Sequence, residues 1–326
     1  MYEVPSWHEP VWQYLRKRRD ADKLPHAILI KGMNGVGKAM FAQKIAELFL
    51  CKEGVFTACG KCQVCQLLRS NTHPDLLVIE PEEVNKVIKI DQVREVISHL
   101  NLSAHQGGNK VVIVQSAELL NIASVNALLK TLEEPTSHTI IILVSAYPML
   151  LPATIRSRCQ TLLIMAPEYL VARKWLEQQL PGYMGVDTLL SLTENAPFRA
   201  LAMAKEDILT RRQEFFSGFF AFKQNKISLS QMIELSMSWR VDDLLINFMY
   251  MISDLVKIKF STESRIINRD KITELADFAT KTTLAKLFSY QDHLYNLRKN
   301  FFARINLNQQ MVIENLLLGW LRLVID

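Results

Sequence analysis

Residues 27–50 read AILIKGMNGVGKAMFAQKIAELFL, and this stretch decides the fold. Ala27–Lys31 is a short apolar run ended by Gly32, the signature of a strand buried on both faces. A Gly-rich turn follows, and from Lys38 to about Leu50 the apolar spacing becomes helical. A strand, a phosphate-type turn and a helix in that order open a parallel α/β sheet.

The pattern repeats along the first half of the chain. Residues 76–80, 110–114, 139–145 and 161–165 read as further strands. Helices are expected over residues 91–100, with Asp91 near the start, over residues 121–132, and briefly over residues 154–158. Pro135 stops the second of these from running on. After Pro167 the strands cease. A small helical segment runs to about residue 206, and the rest is longer-patterned helix. Leu244, Phe248, Met251 and Leu255 mark one helical face, and Leu307, Met311 and Leu318 continue the style, all expected as core. The predicted architecture is an α/β domain, a small helical domain and an all-helical C-terminal domain. The 326 residues suit two or three domains.

Gly32, Gly35, Gly37 and Lys38 fit the GxxxxGK part of a phosphate loop. Glycines let backbone N–H groups approach phosphate oxygens, the helix start favours anions, and Lys38 is placed to reach β/γ-phosphates. The next position should carry a hydroxyl to hold Mg²⁺, and here it is Ala39. The end of the third strand should carry an acidic pair, and here it is Gln115 and Ser116. Glu118 lies two residues beyond, with nothing in the sequence to place it in a site. Three hydrolytic parts are missing together, so no ATP turnover is expected from this chain. Nucleotide binding without turnover, or a loop serving only as a turn, both stay open.

Cys51, Cys59, Cys62 and Cys65 lie between the first helix and the second strand. Four thiolates suit a closed, tetrahedral, structural Zn²⁺ site, with Gly54 and Gly60 permitting tight turns around it. An iron–sulfur cluster is the rival, lacking here its usual Cys–Pro, and His73 is an alternative ligand. Five cysteines, four of them clustered, argue against a disulfide framework. Hydrophobic residues at 49% and charged residues at 22% exclude a disordered chain. A net charge of +5 is compatible with nucleic acid without demanding it. No signal peptide is evident. Residues 139–151, the most apolar stretch, are broken by Tyr147 and Pro148 and too short for a span, so a cytoplasmic protein with no membrane partner is expected.

Residues 126–135 (NALLKTLEEP) and 154–159 (TIRSRC), with THPD at 72–75 and the four-cysteine insertion, carry a specific resemblance. They resemble the clamp-loader branch of the AAA+ ATPases, which serves the bacterial DNA polymerase III holoenzyme. The resemblance covers most of residues 1–166 and weakens beyond. It implies a RecA-like AAA+ domain over residues 1–166 with a zinc module at about 51–65. A helical lid over 167–206 and a collar domain over 207–326 follow. It also implies gamma/tau motor and delta subunits as partners, with the sliding clamp and primed DNA reached through the complex. The missing parts at Ala39, Gln115 and Ser116 match a subunit that has lost hydrolysis and acts as a stator. Gly37 and Lys38 are better preserved than such a subunit requires.

In the resembling family the Arg of SRC reaches the neighbouring subunit's ATP. Carried over, this is Arg158, with Arg156 as competitor. Read without the family, Arg158 is a helix-end residue pairing with free carbonyls. Cys159 is expected as a small buried residue. Arg199 resembles the family's nucleotide-sensing Arg, offset by one position. Lys89, Arg94 and the Arg16–Arg19 cluster are candidate phosphate contacts, though such charges are more often solvated. Two other readings are an autonomous AAA+ ATPase, recognised by turnover without partners, and a zinc-containing nucleic-acid adaptor, recognised by binding DNA alone.

Overall fold

A computed structural model describes residues 4–21, 23–54, 57–83, 86–100, 108–224, 226–260, 266–302 and 308–323. The chain divides into two compact units. The first is Met1–Val171 with Ala196–Arg199, and the second is Ala172–Asn195 with Ala200–Asp326.

In the first unit, α1 (Glu9–Asp20) precedes β1 (Ala27–Lys31), and α2 (Lys38–Leu50) and α3 (Gln63–Arg69) follow. Then come β2 (Leu76–Ile79), α4 (Ile90–Leu100), β3 (Lys110–Val114), α5 (Ile122–Glu133), β4 (Thr139–Ser145), α6 (Ala153–Arg158) and β5 (Gln160–Leu163). The strands form one parallel sheet in the order β2-β3-β4-β1-β5. Period-two alternation sends Ile28, Ile30, Val111, Ile113, Ile140 and Ile142 to one face, where α1 and α2 contribute Trp12, Leu15, Phe41 and Ile45. Leu29, Val112, Val114, Ile141 and Leu143 face the other way, against Val93, Val125, Leu128 and Ile155 of α4, α5 and α6. Both faces are covered, which is why these strands read as unbroken apolar runs.

Parallel strands joined by crossovers bring their C-terminal ends, and the loops after them, to one edge. The loop after β1 and the turn after β3 therefore share that edge. Asn121 caps α5, its side chain accepting from the Ser124 N–H. β5 begins and ends one or two residues earlier than the sequence suggests. The Ile164 N–H still donates to the Lys31 carbonyl at 2.8 Å, so pairing outlasts the formal strand.

The second unit is helical. A small cluster unites Ala172, Leu176, Val186, Leu189, Leu190 and Ala200. A larger core, built by α7 (Ile208–Lys223), α8 (Val241–Lys259) and α9 (Ile272–Thr280) among others, packs Phe215, Phe219, Phe248, Phe278 and Trp320 together. Leu244, Phe248, Met251 and Leu255 are buried there as expected. The terminal stripe needs correction. Met311 and Leu318 are exposed, while Val312, Ile313, Leu316, Leu317 and Trp320 are buried; Leu307 lies outside the described residues. The terminal helix, α10 (Gln309–Leu321), carries apolar residues on more than one face, so spacing alone does not fix its phase. Among the described residues no helix is long and apolar enough to cross a membrane.

Candidate functional site

The phosphate-type loop sits between β1 and α2, with Gly37 as the helix N-cap at φ 92°. An open cleft of about 360 Å³ lies beside it. Its lining includes Gly35, Gly37, Lys38, Ala39, Gln115 and Ser116, as the sequence suggests, together with Glu118 and Phe198. The loop's carbonyls are bound by the chain itself. Lys38 Nζ donates to the Met33 carbonyl at 2.8 Å, and the Phe198 N–H donates to that of Gly35 at 2.9 Å. Trp7 Nε1 donates to the Val36 carbonyl at 3.0 Å, and His8 Nε2 lies 2.7 Å from the same oxygen. A carbonyl can only accept, so His8 carries its proton on Nε2, leaving buried Nδ1 without a partner. Burial pushes the His8 pKa down to about 4 against the hydrogen bond to Val36, so the ring is neutral at pH 7.

Glycines in such a loop normally leave room for a phosphate to approach the backbone. Here the chain's own atoms use that room. A Cβ at Gly35, where φ is +82°, would lie 2.3 Å from Arg199 Cβ and 2.7 Å from the Arg199 nitrogen. One at Gly37 would lie 2.6 Å from the Phe198 ring and 2.9 Å from the His8 ring. Trp7 also packs edge-on against Phe198. The backbone of Arg199 thus presses on the loop.

Chemically the cleft is incomplete. Ala39 offers a methyl where Mg²⁺ needs an oxygen, and Gln115 is neutral. Ser116 takes a left-handed turn at φ 49°, after which Glu118 comes to line the cleft, a placement the sequence did not reveal. Glu118 Oε1 accepts from the Ala146 N–H at 3.3 Å, and Oε2 has no partner. Burial lowers the Lys38 pKa to about 8, and the Glu118 charge partly opposes this. Glu118 is therefore a counter-charge to Lys38. The cleft thus holds one carboxylate, from Glu118, with no Asp in its lining and with Ala39 where the Mg²⁺-binding hydroxyl would stand.

The four cysteines do converge. Their Sγ atoms all lie within 4.8 Å of one another, with Cys51–Cys62 and Cys59–Cys65 at 3.9 Å. Zinc at about 2.3 Å from four sulfurs requires S···S edges of about 3.8 Å, so the donor set fits. Helix α3 begins inside the cluster and supplies Cys65 from its first turn. Backbone N–H groups of Cys59, Gly60, Lys61, Cys62 and Cys65 point at the sulfurs. Such donors favour thiolate; those of Lys61 and Cys62 draw the Cys59 pKa down to about 7, while burial raises Cys62 and Cys65. Arg19 ties the segment to α1 by donating to the Gly54 carbonyl at 2.8 Å. His73 is not in the cluster: its Nδ1 accepts from the Asp75 N–H.

At the end of α6, Arg158 is half-exposed. Its Nη1 donates to the Thr154 carbonyl at 3.0 Å, and Nη2 pairs with Glu133 Oε1 at 2.5 Å. Arg156 instead rests Nη1 on Met149 Sδ. Arg158 does not line the phosphate cleft. Cys159 is buried and its thiol pushed up to about 11 by that burial, the behaviour of a packing residue. Lys89 and Arg94 already face Glu82 and Asp91.

A five-stranded parallel α/β unit with a phosphate-type loop after its first strand, followed in the chain by a helical unit, sets the class of fold. Comparison narrows it. Residues 7–168 match the family model "DNA polymerase III, delta subunit", and residues 206–322 match "DNA polymerase III, delta subunit, C terminal". The DNA polymerase III subunit delta′ of Pseudomonas aeruginosa is 31% identical over 327 residues, covering 98% of each chain. That of Haemophilus influenzae is 29% identical over 329 residues, covering 100% of this chain and 98% of the relative. The Escherichia coli subunit is 37% identical over 205 residues, 62% of this chain and 61% of the relative. The chain belongs to the DNA polymerase III delta-prime family. Among solved structures, a Thermotoga maritima DNA polymerase III gamma-subunit-related protein aligns with TM-score 0.46 at 17% identity, covering 98% and 100%.

Proposed function

We propose that this chain is the non-hydrolysing stator subunit of a bacterial replicative clamp loader. It assembles with gamma/tau and delta subunits in the cytoplasm, helps load the sliding clamp on primed DNA, and lends Arg158 to the ATP of the neighbouring motor subunit. The observation that carries this reading is the contrast within one unit: a loop with Ala39 in place of the Mg²⁺-binding hydroxyl and Gln115 in place of the strand-end Asp, packed by Trp7, His8 and Phe198, and an exposed arginine at the end of α6. A guanidinium supplied in trans offsets charge growing on a transferring γ-phosphoryl group, an effect worth about 10³–10⁵ in rate. Within this reading residues 1–166 are the AAA+ domain, 167–206 the lid and 207–326 the collar. Cys51, Cys59, Cys62 and Cys65 hold a structural Zn²⁺ that stabilises its own loop and takes no part in phosphate chemistry. Lys89 and Arg94 support at most a salt-dependent DNA contact, since a phosphate must displace their carboxylate partners.

Glu118 favours a second reading, an autonomous ATPase, because it places one carboxylate beside Lys38. Steady-state ATP turnover separates the two. The isolated chain gives none above a no-enzyme control, and turnover appears on mixing with gamma/tau and delta subunits. Turnover by the isolated chain that disappears with Lys38→Ala establishes the second reading instead.

A further inference from the structure

We propose that Glu133 is the positioning residue of the Arg158 guanidinium and the reason Arg158, not Arg156, serves the neighbouring subunit. The inference rests on the trans-arginine reading above and adds to it a residue that acts through Arg158.

Glu133 is the last residue of α5 and Arg158 the last of α6. A carboxylate at a helix C-terminus faces the negative end of the helix dipole, an unfavourable place unless a cation answers it. Arg158 is that cation, with Nη2 against Glu133 Oε1 at 2.5 Å. Its other terminal nitrogen donates to the Thr154 carbonyl at 3.0 Å. Acceptors on two different helices thus hold two nitrogens of one planar group, which fixes the plane. The guanidinium has five N–H donors, so others remain for phosphate oxygens. The two side chains stay open, at 36% and 49% exposure, so a ligand from outside can reach the held group.

Arg156 has no such arrangement: its Nη1 rests on a thioether sulfur, a weak acceptor that imposes little orientation, and its Nε has no partner. A donor already aimed before the charge develops lowers the barrier more than one that must first be ordered. A small misplacement of such a group is costly in rate. Glu133 accordingly acts on turnover rather than on ATP affinity.

The test uses the assembled loader with gamma/tau and delta subunits, sliding clamp and primed DNA, reading kcat and KM for ATP. Glu133→Ala lowers kcat roughly 10- to 100-fold with KM unchanged. Glu133→Gln, which keeps an acceptor oxygen on the same stem, recovers most of the rate. The double variant Glu133→Ala/Arg158→Ala is no slower than Arg158→Ala alone, because Glu133 acts only through Arg158. Wild-type kcat in Glu133→Ala, alongside a large loss in Arg158→Ala, overturns the role of Glu133 and leaves the trans arginine standing. A double variant slower than Arg158→Ala by the full Glu133→Ala factor overturns it too. If Arg158→Ala itself keeps wild-type kcat, the underlying reading fails and this inference with it.

Discussion

The phosphate-type loop and the cysteine cluster sit in the same unit, and both announce themselves by residue spacing. In the cluster, spacing translates into convergence: four sulfurs within 4.8 Å of one another, bracketed by backbone donors. In the loop, spacing gives only the backbone path. The room its glycines provide is taken by Arg199, Phe198 and His8, and the groups that should complete the chemistry are Ala39, Gln115 and Ser116. A motif therefore specifies a conformation, whereas a working site also needs donors arriving from elsewhere in the fold.

The largest effect expected from that contrast is at the cluster. Replacing Cys65 with Ser, or stripping metal with a chelator, should remove one zinc per chain and unfold the segment around residues 51–65, since apparent zinc binding energies reach about 10 kcal/mol or more. Elemental analysis with hydrogen exchange over that segment checks it. A Cys65→Ser protein that keeps full metal and protection shows that the four sulfurs do not act as one metal site.

A smaller effect belongs to the packing around the loop. His8 has a folded pKa of about 4, below its usual 6.5. Between those values the unfolded chain takes up a proton that the folded chain refuses, so stability present above pH 6.5 is lost as the pH falls toward 4. The loss is at most about 3 kcal/mol. Urea midpoints at pH 7 and pH 4.5 read it, and His8→Gln should flatten the difference. An undiminished slope in His8→Gln means the ring is not the acid-sensitive contact.

The smallest effect is assigned to Lys38. In a working phosphate loop this side chain is indispensable; here it bonds the loop's own Met33 carbonyl and is penalised by burial. Lys38→Met should change stability by about 1 kcal/mol or less and leave the assembled loader's ATP turnover as it was. A marked fall in that turnover shows instead that the cleft contributes to the loader's chemistry.

Much of this was legible in the sequence, for identifiable reasons. The strands stood out because a parallel sheet covered on both faces leaves no polar alternation, so Val111, Val112, Ile113 and Val114 are all apolar. The cluster stood out because its ligands are close in the chain. The features absent from the sequence pattern depend on long-range packing. Nothing local marks His8 or Phe198 as neighbours of Gly37, and Glu118 reaches the cleft only because Ser116 turns left-handed. Met311 and Leu318 are exposed against expectation because a helix apolar on several faces does not declare its phase. Glu133 was visible as a letter in NALLKTLEEP, but its partner on α6 was not.

On the proposed function this chain withholds its own phosphate chemistry while lending a positive charge to its neighbour. Single-turnover ATP hydrolysis by the loader rebuilt with Arg158→Ala tests it most directly. A loss of about 10³-fold or more at unchanged assembly is expected. A rate equal to that of the unaltered complex contradicts it.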